Sequence, residues 1–121
     1  MSVLALIENW EGDFKKTSFE ALHYAKQISN HQGQKLIAIT FGAKTPKDLE
    51  NYGADKIVNI SNLKFENTSN HIISEISAEL ISEYEADKIV ISNTITGKTI
   101  GTVYNTTIIM HTIIYLNEIV I

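Results

Sequence analysis

Apolar residues fill every position from Val3 to Ile7. An unbroken run of that length suits a strand covered on both faces, as in a parallel sheet. Past Ser18 the spacing changes: Phe19, Leu22, Ala25 and Ile28 recur at helical intervals. Ser18 stands where an N-cap belongs and Gly33 where a helix stops, so the pattern predicts a helix over 18–31. Lys35 to Phe41 (KLIAITF) reads as a second strand closed by Gly42. Thr45 followed by Pro46 then matches an N-cap with proline at the first helical position, giving a compact helix through Leu49 to Gly53.

The alternation continues with a third strand, Lys56 to Ile60 (KIVNI), and a polar connection over 61–67. A third helix is predicted from about Ser69 to Tyr84, because Ile72, Ile73, Ile76, Leu80 and Ile81 form one apolar stripe. Glu75, Glu79 and Glu83 lie on the solvated side. Asp87 to Ser92 (DKIVIS) is the fourth strand. Strands alternating with helices imply right-handed crossovers and an open parallel α/β sheet, with the first and fourth strands adjacent at its centre. The pentapeptide Ala54-Asp55-Lys56-Ile57-Val58 recurs as Ala86-Asp87-Lys88-Ile89-Val90. Each copy occupies a helix-to-strand corner, with Asp and Lys expected in solvent. Two short copies make no solenoid.

The stretch 102–121 departs from this pattern, being rich in Ile and Thr and lacking Ala, Gly, Lys and Asp. Asn105, His111, Asn117 and Glu118 interrupt its apolar runs short of the roughly 18 residues that a membrane span needs. Ile113 to Leu116 and Ile119 to Ile121 are its best strand candidates. The whole chain of 121 residues fits one domain.

Composition narrows the chemistry. The absence of cysteine removes disulfides, thiolate nucleophiles and zinc–cysteine sites. All ten basic residues are lysines and the net charge is −4, so the bidentate grip of arginine on phosphate and guanine is missing and nucleic acid is not an expected partner. No basic, apolar leader opens the chain, which points to the cytoplasm. His23, His31, His71 and His111 lack the i,i+4 spacing of metal ligands on one helix face. No Gly-x-Ser-x-Gly elbow is present.

Ser92-Asn93-Thr94-Ile95-Thr96-Gly97-Lys98-Thr99 comes close to a phosphate loop. It fails at the first position, where Ser92 replaces the glycine that lets backbone wrap phosphate. A rim remains, because ligands of open α/β sheets sit beyond the carboxyl ends of the strands. Here it carries Glu8, Asn9 and Trp10 after the first strand, and Ser92 to Lys98, with Asn93 and Gly97 among them, after the fourth. Trp10, with Phe14 close behind, has the character of a partner-surface anchor. The residues alone leave two readings open for this aromatic pair, a partner contact or a fold back onto the domain's own core.

Val3-Leu4-Ala5-Leu6-Ile7-Glu8-Asn9-Trp10-Glu11-Gly12, followed by Phe14-Lys15-Lys16 and Ser18-Phe19-Glu20, resembles the opening of bacterial electron-transfer flavoprotein alpha subunits. The similarity returns at Tyr52-Gly53-Ala54-Asp55-Lys56, at Ser92-Asn93 and at Gly97-Lys98, covering about residues 1 to 101. The resemblance implies a Rossmann-like, adenine-nucleotide-hydrolase-like three-layer fold and a beta subunit as partner. It also implies that FAD is held in a separate C-terminal domain that this chain lacks, so no cofactor and no catalytic residue are carried onto these positions. Beyond Gly97-Lys98 the family continues with an Ala/Leu/Arg-rich helix, which 102–121 does not match, and an interrupted or truncated alpha subunit is therefore expected. Self-association through surface left uncovered is expected as well. The alternative is a stand-alone adenine-nucleotide-binding module like the universal stress proteins. Gly97 and Gly101 are out of phase with the glycine pattern of those proteins.

Overall fold

The computed structural model describes residues 2–92 and 112–116. Its elements run β1 (Ser2–Leu6), α1 (Lys16–Gln32), β2 (Lys35–Phe41), a 3-10 helix (Pro46–Tyr52), β3 (Lys56–Ile60), a 3-10 turn (Phe65–Asn67), α2 (Asn70–Glu83), β4 (Ala86–Ser92) and β5 (Thr112–Leu116). The five strands form one parallel sheet in the order β3-β2-β1-β4-β5, so β1 and β4 are neighbours at its centre as the alternation predicts. β1 starts one residue earlier than expected, and the Ile7 amide still reaches the Ile39 carbonyl at 2.8 Å.

The uninterrupted apolar run of β1 has a direct physical cause. Side chains alternate across a strand, and both faces here are covered. Val3, Ala5 and Ile7 pack with Ala21, Leu22 and Ala25 of α1 and with Leu49 of the 3-10 helix. Leu4 and Leu6 face the other way, against Phe41, Phe65 and Ile73. No helix among the described residues is long and apolar enough to cross a membrane.

Several expectations are corrected. Residues 46–52 form the compact helix expected there, of the 3-10 kind, but the Thr45 hydroxyl bonds the Asp48 carboxylate at 2.9 Å instead of capping the backbone. Seven residues between two turns are too few to gain much from α-type bonding. α1 begins at Lys16, so Ser18 lies inside the first turn, not at the N-cap. Ser69 does cap α2, accepting the Ile72 amide at 3.2 Å. On α2, however, Ile72 leaves the stripe and is 44% exposed, while Ser74 and Ser77 are buried beside Ile73.

In the repeated pentapeptide Asp55 and Lys56 of the first copy are exposed as expected, whereas Asp87 and Lys88 of the second are not. Asp55 Oδ2 accepts the Leu36 amide at 2.8 Å and pairs with Lys26 at 3.4 Å, tying the β3 entry to β2 and α1. Asp87 and Lys88 form a 3.1 Å pair whose side chains are both largely buried. Burial pushes the Asp87 carboxyl up, but hydrogen bonding from Lys88 and Gln34 and the lysine's charge outweigh it, leaving the group below the usual carboxylate range. The strand expected at Ile113 to Leu116 is present as β5, and Ile119 to Ile121 lies outside the described residues.

Candidate functional site

β1 delivers Glu8 and Asn9 to the carboxyl rim of the sheet with both residues buried. The chain then reverses through Trp10-Glu11-Gly12-Asp13. Trp10 and Asp13 exchange both backbone hydrogen bonds at 2.9 Å, and Glu11 (φ 52°) and Gly12 (φ 88°) occupy the left-handed region. Two central residues of positive φ define a tight hairpin turn of the I′ kind. A side chain at Gly12 would meet Lys44 Cγ at 2.8 Å, so the turn needs glycine for conformation and for space.

Asn9 fastens this hairpin. Its Nδ2 donates to Thr40 Oγ1 at 2.9 Å and to the Phe41 carbonyl at 2.8 Å, and its Oδ1 accepts the Gly12 amide at 3.2 Å. The Lys44 amide donates to the Gly12 carbonyl at 3.0 Å, adding a second tie to the loop after β2. Ser18 closes the other end: its hydroxyl donates to the Glu8 carbonyl at 2.8 Å and accepts the Lys15 amide at 3.2 Å. The Lys15 ammonium lies 4.3 Å from the centre of the Trp10 ring, which is 37% exposed.

Two clefts flank the hairpin. One, of about 210 Å³, runs between Glu8, Asn9 and Trp10 on one side and Phe65, Thr68 and Asn70 on the other. The second, of about 460 Å³, lies between Gly12, Gly42, Lys44 and Lys64, and Glu66 borders both. Carboxylates therefore stand among the lysines, and the rim is mixed in charge. Among the described residues no group of His, Asp and Glu is arranged to hold a metal ion.

The rim residues read from sequence divide accordingly. Asn9 and Trp10 come together, Asn9 as a buried clamp and Trp10 as the exposed ring it positions. Phe14 is half-buried, packed against the core with its ring edge-on to Phe19 at 5.7 Å. Ser92 ends β4, paired with Leu116, and Asn93, Gly97 and Lys98 lie outside the described residues. One feature escaped sequence reasoning: the ring of Phe19 stacks on Tyr52 at 4.3 Å and 25°, in a surface groove between α1 and the 3-10 helix. Phe19 reads simply as a core position of α1, and nothing local to Tyr52 announces its partner.

A parallel sheet with helices on both faces and a polar, hairpin-bearing rim at the strands' carboxyl ends places the protein in the doubly covered α/β class. Solved structures agree on the fold. A universal stress protein in complex with cAMP superposes with a TM-score of 0.55 at 16% identity, covering 96% of this chain and 97% of that one. A universal stress protein from Archaeoglobus fulgidus does so at 0.59 and 12%, covering 95% and 97%. Sequence is more specific. The electron transfer flavoprotein domain family matches residues 3–104, and the chain belongs to that family. The electron transfer flavoprotein subunit alpha of Clostridium acetobutylicum is 28% identical over 102 residues, which is 82% of this chain. The chain spans 30% of that relative's length.

Proposed function

We propose that this chain is the N-terminal, scaffold and subunit-contact domain of an alpha-type electron-transfer flavoprotein. In this reading it works in the cytoplasm, performs no catalysis, and binds a beta subunit through the rim built by Asn9 and Trp10, with Phe14 bracing the hairpin from the core side. The observation that carries the reading is the family match over residues 3–104, joined to likeness to an alpha subunit. Electron transfer would belong to the assembled heterodimer.

Among the described residues, those of the rim do not fit a flavin dinucleotide. Its pyrophosphate calls for arginine or a run of backbone donors. This chain contains no arginine, and the Glu66 carboxylate borders both clefts beside the hairpin. FAD therefore belongs on another domain, and this one acts by holding a partner in place.

The test mixes the purified chain with an electron-transfer flavoprotein beta subunit and follows co-elution in size-exclusion chromatography, beside a fluorescence titration with FAD. A complex that weakens on Trp10→Ala, with no flavin quenching by the chain alone, is the expected result. Saturable FAD binding by the chain alone would overturn the scaffold reading. Saturable adenine-nucleotide binding without beta-subunit binding would replace it with a nucleotide-binding module.

A further inference from the structure

The groove between α1 and the 3-10 helix is built unlike the rim. Its floor is the Phe19–Tyr52 stack, its edges are Lys16, Glu20 and His23, and its volume is about 530 Å³. Tyr52 is 42% exposed, and Tyr24, one turn beyond Glu20, extends the same helix face as a further exposed ring. Large rings held in solvent at one place mark a contact surface more often than a solvated face.

The groove is also held rigid. A side chain at Gly53, just past Tyr52, would meet Lys26 Cγ at 2.6 Å, so the end of the 3-10 helix sits directly on α1. The Lys26–Asp55 pair and the Asp55–Leu36 hydrogen bond fix the same corner. Tyr52 is thus presented with little side-chain freedom left to lose on binding.

Charge identifies the occupant. Lys16 and Glu20 are exposed, opposite in sign and one turn apart on the groove edge, and neither takes part in an ion pair among the described residues. An isologous contact requires a patch that complements itself. A two-fold axis passing between these two side chains sets Lys16 of each copy against Glu20 of the other and brings the two Phe19–Tyr52 stacks together. We propose that this face is a homodimer interface whose occupant is a second copy of the chain. It lies on the helical face and not at the rim, so it goes beyond the beta-subunit reading and stands or falls separately from it.

Sedimentation equilibrium of the purified chain tests it. The weight-average mass should climb from 13.5 kDa toward twice that value as concentration rises toward about 1 mM, the range of a weak interface. Tyr52→Ser should hold the chain at monomer mass. Lys16→Glu and Glu20→Lys should each weaken the dimer about tenfold, because two facing pairs become repulsive. Combining Lys16→Glu with Glu20→Lys should restore it, since the swapped pairs attract again. Far-UV circular dichroism checks that these exposed-site variants remain folded. A wild-type chain that stays at 13.5 kDa overturns the proposal, as does a double variant that associates no better than the single ones.

Discussion

The side-chain amide of Asn9 donates to the carbonyl of Phe41 at 2.8 Å, across the gap between the ends of β1 and β2. The same side chain reaches Thr40 and Gly12, so one buried residue holds two strand ends and the Trp10 hairpin in register. Truncating it strands the partners it served in a dry site, where each unsatisfied group costs about 1–3 kcal/mol. Asn9→Ala should lower stability by about 2 kcal/mol or more, read as a reduced urea midpoint. It should also shift the emission of Trp10, the only tryptophan. A midpoint equal to that of the wild type would show that the clamp is decorative.

Much of this fold was legible because periodicity and punctuation agreed. The runs at Val3, Lys35, Lys56 and Asp87 became strands, and Gly33 ended α1 in the left-handed conformation that glycine favours. What escaped depends on contacts between segments distant in sequence. Ser74 and Ser77 are polar by composition yet fully buried, so a hydrophobic stripe cannot find them. Asn9 was legible as a rim residue, but its role rests on Thr40 and Phe41, which lie more than thirty positions away. The Phe19–Tyr52 stack has the same character.

The phase of α2 can be checked with two neighbouring isoleucines. Ile73 is fully buried in the core beside Phe41 and Phe65, whereas Ile72 is 44% exposed. Removing the buried side chain loses its transfer energy and leaves a cavity, so Ile73→Ala should cost about 2–5 kcal/mol. Ile72→Ala should change stability by no more than about 0.5 kcal/mol. Thermal unfolding of the two variants side by side decides the matter, and similar losses would mean that the helix is rotated from its assigned face.

Two glycines with the same positive φ of 65° separate conformational cost from steric cost. At Gly33 an added methyl group meets nothing within 4 Å, while at Gly42 it would stand 2.5 Å from the Leu63 carbonyl oxygen. Gly33→Ala should therefore cost only the left-handed penalty of about 1–2 kcal/mol. Gly42→Ala must also push the loop after β3 away and should cost clearly more, with the chevron or urea midpoint as the measure. Equal penalties would mean that the Leu63 loop yields freely.

Acid should weaken the fold through Asp87. Asp87 is held below the usual carboxylate range because Lys88 and Gln34 stabilise its charged form more than burial opposes it. A depressed folded-state pKa means that the unfolded chain takes up the proton first as pH falls. The stability contributed by Asp87 is thus complete above the ordinary aspartate value of about 3.9 and drains away as pH drops through the lower, folded-state value. Asp87→Asn removes the charge and leaves Lys88 without its partner in a largely buried position. Its stability deficit relative to the wild type should be constant from about pH 7 to pH 5 and should shrink below about pH 4. Urea unfolding of both proteins across that range gives the curve. A deficit that stays constant down to the most acidic point would show that the Asp87–Lys88 pair adds nothing through its charge.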